Sequence, residues 1–440
     1  MPADTEQPKY SSLGRVYFAL YRGLLMPLYW LLMLVHRLLP ATRGTLGPRL
    51  GLDLPQIEGG PVVWFHASSM GETSTIAPVV NEIAGRCKRC RLVVTTMTLA
   101  GQRRAREILD STEHLLLPFD FHPAVRRMIA ALKPAMLVIG ETEIWPNLIV
   151  EASRAGVALA VVNGRISKKS YPRYKMIRPL TRFVLPRLDL LMMRTHMDAR
   201  RAVKLGARED RAFPVGNVKY DNLPEPLPDK ARTSMRSELG LRSGRLVITL
   251  GSARDGETAI VLAAIRAAGI IPEPLVIIAP RHMNLLPQVE EACRREGLEC
   301  LTVREGGVVS EAELDRTQVL IFAQMGRMLQ IYSISDIAIV GGTYKNFGGH
   351  NPLEPASQSA VTIVGPHIQN IRDDIAYLRA RKGAFLAREK DLPGMLSKFA
   401  GDRDRRIAIG RAAAGAVSDR KGIAARCVDM MLERGLLPEE

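Results

Sequence analysis

The chain has 440 residues, 47% hydrophobic and 24% charged, which excludes an intrinsically disordered protein and leaves length for two domains. Five scattered cysteines cannot build a dense disulfide framework and point to a reducing compartment. The 61 Lys and Arg against 45 Asp and Glu leave a net charge of +16, so an anionic partner is expected, whether nucleic acid, a membrane surface or a phosphorylated substrate.

The first element is the apolar run Val16–Val35, interrupted only by Arg22. Twenty helical residues reach about 30 Å, the thickness of a bilayer core. The part after Arg22 is too short to span alone, so both a single span and a helix lying in the interface fit, as does a buried amphipathic helix. Tyr17, Tyr21, Tyr29 and Trp30 favour an interfacial position, and Arg37, Arg43 and Arg49 place the body on the cytoplasmic side. Membrane anchoring by residues 1–45 is the expectation.

Strand-sized apolar runs then recur with helix-length gaps: Val62–Ala67, Leu92–Thr96, His114–Pro118, Met136–Ile139, Val157–Val162, Leu188–Met193 and Ala212–Val215. This alternation predicts an α/β domain over 46–222 with a buried parallel sheet. Residues 223–232, with Pro224, Pro226 and Pro228, read as a stiff linker. The alternation resumes at Leu246–Leu250, Leu275–Ala279, Val319–Phe322, Ile337–Val340 and Thr362–Val364, predicting a second α/β domain over 233–440. Two Rossmann-like domains facing a cleft are expected.

Polar clusters follow several predicted strands, where an open α/β sheet binds ligands. HASSMGE (His66–Glu72) puts Glu72 at a helix start; it is either a general base or an ordinary N-terminal acid. GETEIWPN (Gly140–Asn147) offers two carboxylates, an indole and an amide, or a loop whose Trp145 packs and whose Pro146 opens a helix. GGTYKNFGGHNPLE (Gly341–Glu354) is a glycine-rich loop whose backbone N–H groups can approach an anion, with Glu354 in the next helical turn. It is neither a Walker A loop nor a GxGxxG. PRH (Pro280–His282) adds an Arg and a His. Between Arg165 and Arg187 stand eight basic residues and no acid, either a solvated helix face or the docking site of an anionic partner. Cys87 and Cys90 lack a second pair, so neither zinc nor any other metal is expected.

Taken in order, HASSMGE, TTMTLAG (Thr95–Gly101), LPFDFHPAVRRM (Leu117–Met128), ETEIWPNL (Glu141–Leu148), NGRIS (Asn163–Ser167), GNVKYD (Gly216–Asp221), PRH, GGHNPLEPA (Gly348–Ala356) and GPHIQN (Gly365–Asn370) identify a family. Nearly end to end, the chain resembles the 3-deoxy-D-manno-octulosonic acid (Kdo) transferases of lipopolysaccharide synthesis. The resemblance implies a GT-B fold and transfer of Kdo from CMP-Kdo to an anionic lipid A precursor (lipid IVA) at the cytoplasmic face of the inner membrane, in contact with its lipids. No cofactor and no nucleic acid are implied. It implies Glu72 as the general base, Ser69, Gly71, Thr98, Glu141, Glu143 and Arg165 on the acceptor side, and Lys219, Arg281, His282, Gly341, Gly342, Gly349, His350, Asn351 and Glu354 around the donor.

The sequence departs from the family pattern at Gly164, at Ser252–Arg254, at Met283–Leu285 and at Phe322–Arg327. All but the first lie in the predicted donor half, where an acid is lost and another position becomes Arg327. A GT-B transferase using another nucleotide sugar, or a silent nucleotide-binding paralogue, is the alternative.

Overall fold

The computed structural model describes residues 12–109, 113–238, 240–241, 244–307, 309–324 and 326–438. They form two compact units, residues 1–222 with 421–440 and residues 223–420.

The first unit holds a seven-stranded parallel sheet. Its strands are β1 (Val62–His66), β2 (Arg91–Thr96), β3 (Glu113–Leu116), β4 (Pro134–Gly140), β5 (Ala158–Gly164), β6 (Leu190–Met193) and β7 (Ala212–Pro214), in the order β3-β2-β1-β4-β5-β6-β7. β1 sits centrally and all five of its residues are buried. Side chains alternate across a strand, so Val62 and Trp64 enter one core while Val63 and Phe65 enter the other. Trp64 is buried without an orphan donor, because its Nε1 donates to Thr95 Oγ1 at 2.8 Å.

The second unit repeats the plan with β8 (Val247–Ala253), β9 (Leu275–Pro280), β10 (Cys300–Arg304), β11 (Val319–Ala323), β12 (Ile337–Val340), β13 (Val361–Val364) and β14 (Ala384–Leu386), in the order β10-β11-β9-β8-β12-β13-β14. β10 and β14 had no counterpart among the apolar runs. Both are edge strands with exposed or half-buried positions, so neither carries an unbroken apolar signal. In each sheet the strand order reverses beside the first strand, between β1 and β4 and between β8 and β12. Ligands of open α/β sheets bind outside such points.

The amino-terminal segment is one helix, α1 (Ser12–Leu38), and it is built into the first unit rather than forming a separate domain over 1–45. Phe18 stacks on Phe183 at 5.1 Å, the Tyr21 hydroxyl donates to Asp120 at 2.9 Å, Arg22 pairs with Glu151 at 3.5 Å, and Arg127 donates to the Tyr29 hydroxyl at 2.8 Å. The other face is apolar and bare. Leu13, Tyr17, Leu20, Leu24, Leu28, Leu31 and Leu38 recur there at helical spacing, and Leu24 is 78% exposed.

Two further expectations change. The final helix Ile423–Glu433 was assigned to the second domain, but it packs on the first unit. Ile423, Cys427, Val428 and Met431 fill the core containing Val79 and Ile83, and Asp221 accepts the Ala424 N–H. The predicted linker is shorter than 223–232, since a helix already starts at Asp229. Cys87 and Cys90 are joined as a disulfide in the turn before β2.

Candidate functional site

In the first unit the site is built at the β1/β4 reversal. After β1 the chain turns through Ala67 and Ser68 to Ser69, the N-cap of helix Met70–Arg86. Ser69 Oγ accepts the Glu72 N–H at 3.3 Å, and Glu72 Oε2 accepts the Ser68 N–H at 2.6 Å, a reciprocal cap. An ordinary acid in the first helical turn is stabilised as a carboxylate. Glu72 behaves oppositely: burial first, then repulsion from Glu143 and Glu141, push it up to about 7, against the Ser68 and Ser69 N–H groups that pull it down. A carboxyl group balanced near neutrality at the end of a central strand is suited to accept a proton.

β4 supplies the neighbouring wall. Gly140 lets it close on β1: an added Cβ would lie 2.8 Å from Ile76 Cγ2 and 3.2 Å from the His66 carbonyl. Glu141 follows in the left-handed region (φ +59°) and pairs with Arg194. Glu143 collects Trp145 Nε1 at 2.8 Å, His66 Nε2 at 3.3 Å and the Ser68 hydroxyl. Burial alone would raise Glu143, but these donors outweigh it and hold it below the usual carboxylate range. Two nearby carboxyl groups are thus driven apart, Glu143 staying ionised while Glu72 titrates near neutrality. His66 is fully buried and held from behind by Thr95. Trp145 is therefore a Glu143 donor as well as a packing residue.

The remaining residues expected on the acceptor side take mixed positions. Thr98 is the N-cap of helix Leu99–Ile108, accepting the Gly101 N–H at 3.0 Å. An added Cβ on Gly101 would lie 3.3 Å from the Ser69 carbonyl carbon, so two helix starts abut here. Gly71 is exposed in the first turn after Ser69. Arg165 joins the β4 loop through its backbone, whose N–H donates to Thr142 Oγ1 at 2.7 Å, while its side chain is exposed. Lys219 was grouped with the donor residues but belongs to the first unit, in a short 3-10 turn after Asn217. Ser68, His66, Thr95 and Arg194 were not singled out. Ser68 and His66 lay inside the HASSMGE motif and Thr95 opened TTMTLAG, whereas nothing local marked Arg194.

In the second unit the β8/β12 reversal gathers most of the other expected residues. Gly341 is required by close approach, since an added Cβ would fall 2.2 Å from the Ser252 carbonyl oxygen. Gly342 and Gly349 take positive φ and cross there, the Gly349 N–H donating to the Gly342 carbonyl at 2.7 Å. His350 lies against Gly342; burial first, then Arg281, Arg254 and His282, lower it to about 4, so it is neutral at pH 7. Its buried Nε2 has no hydrogen-bond partner among the described residues. Asn351 Nδ2 donates to Glu354 at 3.1 Å, and Asn351 Oδ1 accepts the Leu353 N–H that opens the next helix. The carboxylate that shapes this loop was missed: buried Glu257 accepts the N–H groups of Gly342 (2.7 Å), Tyr344 (2.8 Å) and Arg254 (2.9 Å). Those loop amides are turned to Glu257 rather than left for an anion.

The departures from the family pattern find places too. Arg254 lies over the Phe347 ring at 4.3 Å and contacts His282 Nε2 at 2.7 Å, adding a cation beside Arg281. Met283–Leu285 forms a 3-10 turn. Gln324 is structural, donating to the Arg304 carbonyl at 3.0 Å, and Arg327 is exposed ahead of helix Met328–Ile334. Met325 lies outside the described residues.

Residues 44–222 match the family model described as 3-deoxy-D-manno-octulosonic-acid transferase (kdotransferase). A 3-deoxy-D-manno-octulosonic acid transferase of Bordetella pertussis is 31% identical over 383 residues, 82% of this chain and 85% of the relative. A bifunctional glycosyltransferase/methyltransferase of Fusobacterium nucleatum is 31% identical over 343 residues; these cover 77% of this chain but 52% of that relative, so the chain spans about half its length. Among solved structures, a glycosyltransferase of Rickettsia africae matches with a TM-score of 0.57 at 12% identity, covering 86% of this chain and 99% of the other, a likeness of fold.

Proposed function

The chain belongs to the 3-deoxy-D-manno-octulosonic acid (Kdo) transferase family and has the GT-B fold, and from that premise we propose that it moves Kdo from CMP-Kdo to a phosphorylated lipid A precursor. The observation that carries this reading is the Glu72 carboxyl group, raised to about 7 beside an ionised Glu143 at the β1/β4 reversal. Glu72 takes the proton of the acceptor hydroxyl as that oxygen bonds to the anomeric carbon of Kdo. The bond from that carbon to the CMP phosphate oxygen breaks, and CMP leaves with its electron pair. Glu143, with Trp145, His66 and Ser68 fixed around it, keeps Glu72 basic enough to act at neutral pH.

CMP-Kdo carries a phosphate and a sugar carboxylate. Arg254 and Arg281 are the cations suited to both, with His282 beside them, and neutral His350 offers its unpaired Nε2 as a further contact. Arg254, which departs from the family pattern, adds positive charge and so favours an anionic donor over a neutral sugar. Glu354, which accepts from Asn351 Nδ2, takes the hydrogen bonds of the ribose in this reading.

The bare apolar face of α1 supports attachment to the cytoplasmic face of the inner membrane. The ties of its opposite face to Phe183, Asp120, Glu151 and Arg127 favour α1 lying in the interface over crossing it. Mass spectrometry of a lipid A precursor incubated with the protein and CMP-Kdo tests the whole reading. A mass increase of one or more Kdo units is expected. Transfer from UDP-sugars with none from CMP-Kdo would overturn it.

A further inference from the structure

A cavity of about 680 Å³ lies at the opposite end of the first sheet, between helices His122–Leu132 and Pro146–Arg154 and the starts of β4 and β5. Its lining joins His122, Arg126, Lys133 and Arg154 to an apolar floor of Ile129, Pro134 and Val157. β4 runs seven residues from this end to Gly140, about 20 Å at roughly 3.3 Å per residue, so the cavity is remote from Glu72.

The charge in the cavity is unbalanced. Among the described residues Glu151 is the only acid in its lining, and it is 7% exposed. Around it stand Arg154 at 2.8 Å, Arg22 at 3.5 Å, His122 at 3.6 Å and Arg126 at 4.0 Å, with Lys133 in the same wall. One carboxylate neutralises one cation; the lining holds three, Arg126, Lys133 and Arg154, and Arg22 pairs with the same carboxylate. Arg126 and Arg154 are more than half exposed, so donors remain available at the mouth.

Arg22 connects this cluster to α1. It lies between Leu20 and Leu24 in sequence, both exposed on the bare apolar face, while its own guanidinium reaches Glu151. A single helix therefore offers apolar surface for acyl chains and a cation paired with the cavity's carboxylate. The volume suits a small ligand, and clustered Arg and Lys beside a membrane-facing helix match the phosphate of an anionic headgroup.

We propose that this cavity is a binding site for the phosphate-bearing headgroup of an anionic phospholipid, distinct from the site that handles the acceptor. Headgroup phosphate completes the charge balance that Glu151 leaves unfinished, and seats α1 at the bilayer surface at a defined depth.

The test uses the full chain in detergent and short-chain phosphatidylglycerol below its micelle concentration, with binding read by calorimetry. Two charge-matched double variants are compared, Arg126→Gln with Lys133→Gln in the cavity and Lys168→Gln with Lys169→Gln on the exposed basic run. At least tenfold weaker binding is expected for the cavity pair, with the other pair unchanged. Equal loss in both pairs, or none in the cavity pair, overturns the proposal. Inorganic phosphate is the second arm: binding as tight as that of the lipid would assign the cavity to free phosphate and overturn the lipid reading. Kdo transfer to the lipid A precursor by the cavity pair in phospholipid-free detergent is expected at the wild-type rate, which separates this site from the proposed reaction. A matching loss of transfer would make these residues part of acceptor handling and overturn the assignment.

Discussion

Glu72 combines two roles that a sequence presents as alternatives. It is a helix-capping acid by its hydrogen bonds to Ser68 and Ser69, and a candidate base by its raised pKa. Replacing it with Gln keeps the shape and removes the base, so kcat is expected to fall by about 10²–10⁴ with CMP binding retained, measured by steady-state kinetics and calorimetry. The wild-type rate should rise with pH through about 7, because only the carboxylate accepts a proton. Glu143→Gln removes the largest repulsion acting on Glu72 and is expected to move that limb to lower pH, read from a kcat/KM profile. Stability carries the opposite sign. The folded-state pKa of about 7 lies above the ordinary 4.5, so ionisation of Glu72 costs stability as pH rises through 7. Thermal melts of Glu72→Gln should therefore show a higher Tm than wild type at pH 8, with the gain shrinking as pH falls toward 4.5 and both chains become neutral there.

At the scale of elements, the helix Pro146–Arg154 has no side-chain cap from its own N-cap residue, Trp145. Asp120 caps it from 27 residues upstream, accepting the Asn147 N–H at 2.9 Å and the Leu148 N–H at 2.8 Å, and it also receives the Tyr21 hydroxyl of α1. Asp120 thus ties α1, the segment after β3 and the helix behind the Glu143 loop into one piece. Asp120→Ala is expected to cost about 2–3 kcal/mol, combining a lost cap with an unpaired tyrosine hydroxyl, and a denaturant titration of the full chain would measure it. The Asp lay in LPFDFHPAVRRM, yet no local spacing could reveal a cap acting across a β-strand. The basic run shows the same limit. Sequence showed eight cations without an acid; the fold sorts them, with Arg187 turned back over the Phe183 ring at 4.0 Å while Lys168, Lys169, Arg173 and Lys175 stay exposed.

At the scale of the molecule, the chain leaves the first unit at Asn222 and returns to it at Lys421. Helix Ile423–Glu433 fills the core beside helix Met70–Arg86, the element that carries Glu72. A chain ending at Arg420 exposes Val79, Val80 and Ile83 in place of that contact. Residues 1–420 are therefore expected to melt first in the amino-terminal unit, whereas 223–420 expressed alone should fold cooperatively, both read by circular dichroism and limited proteolysis. The +16 charge also resolves at this scale. Part of it stands around Glu151 beside α1 and part around His350 in the second unit, and neither cluster is contiguous in sequence.

Sequence alone determined the two α/β halves, the buried central strands, the long apolar amino-terminal run and the strand-end motifs that hold Glu72, Glu143 and His350. These follow from local periodicity and from which residue types sit at strand ends. Only the tertiary structure decided that Glu72 is raised and Glu143 lowered, that Glu257 shapes the glycine loop, that Asp120 caps a distant helix and that the last helix belongs to the first unit. Each of these depends on groups far apart in the chain meeting in space, where burial and a neighbouring charge change what the same side chain does.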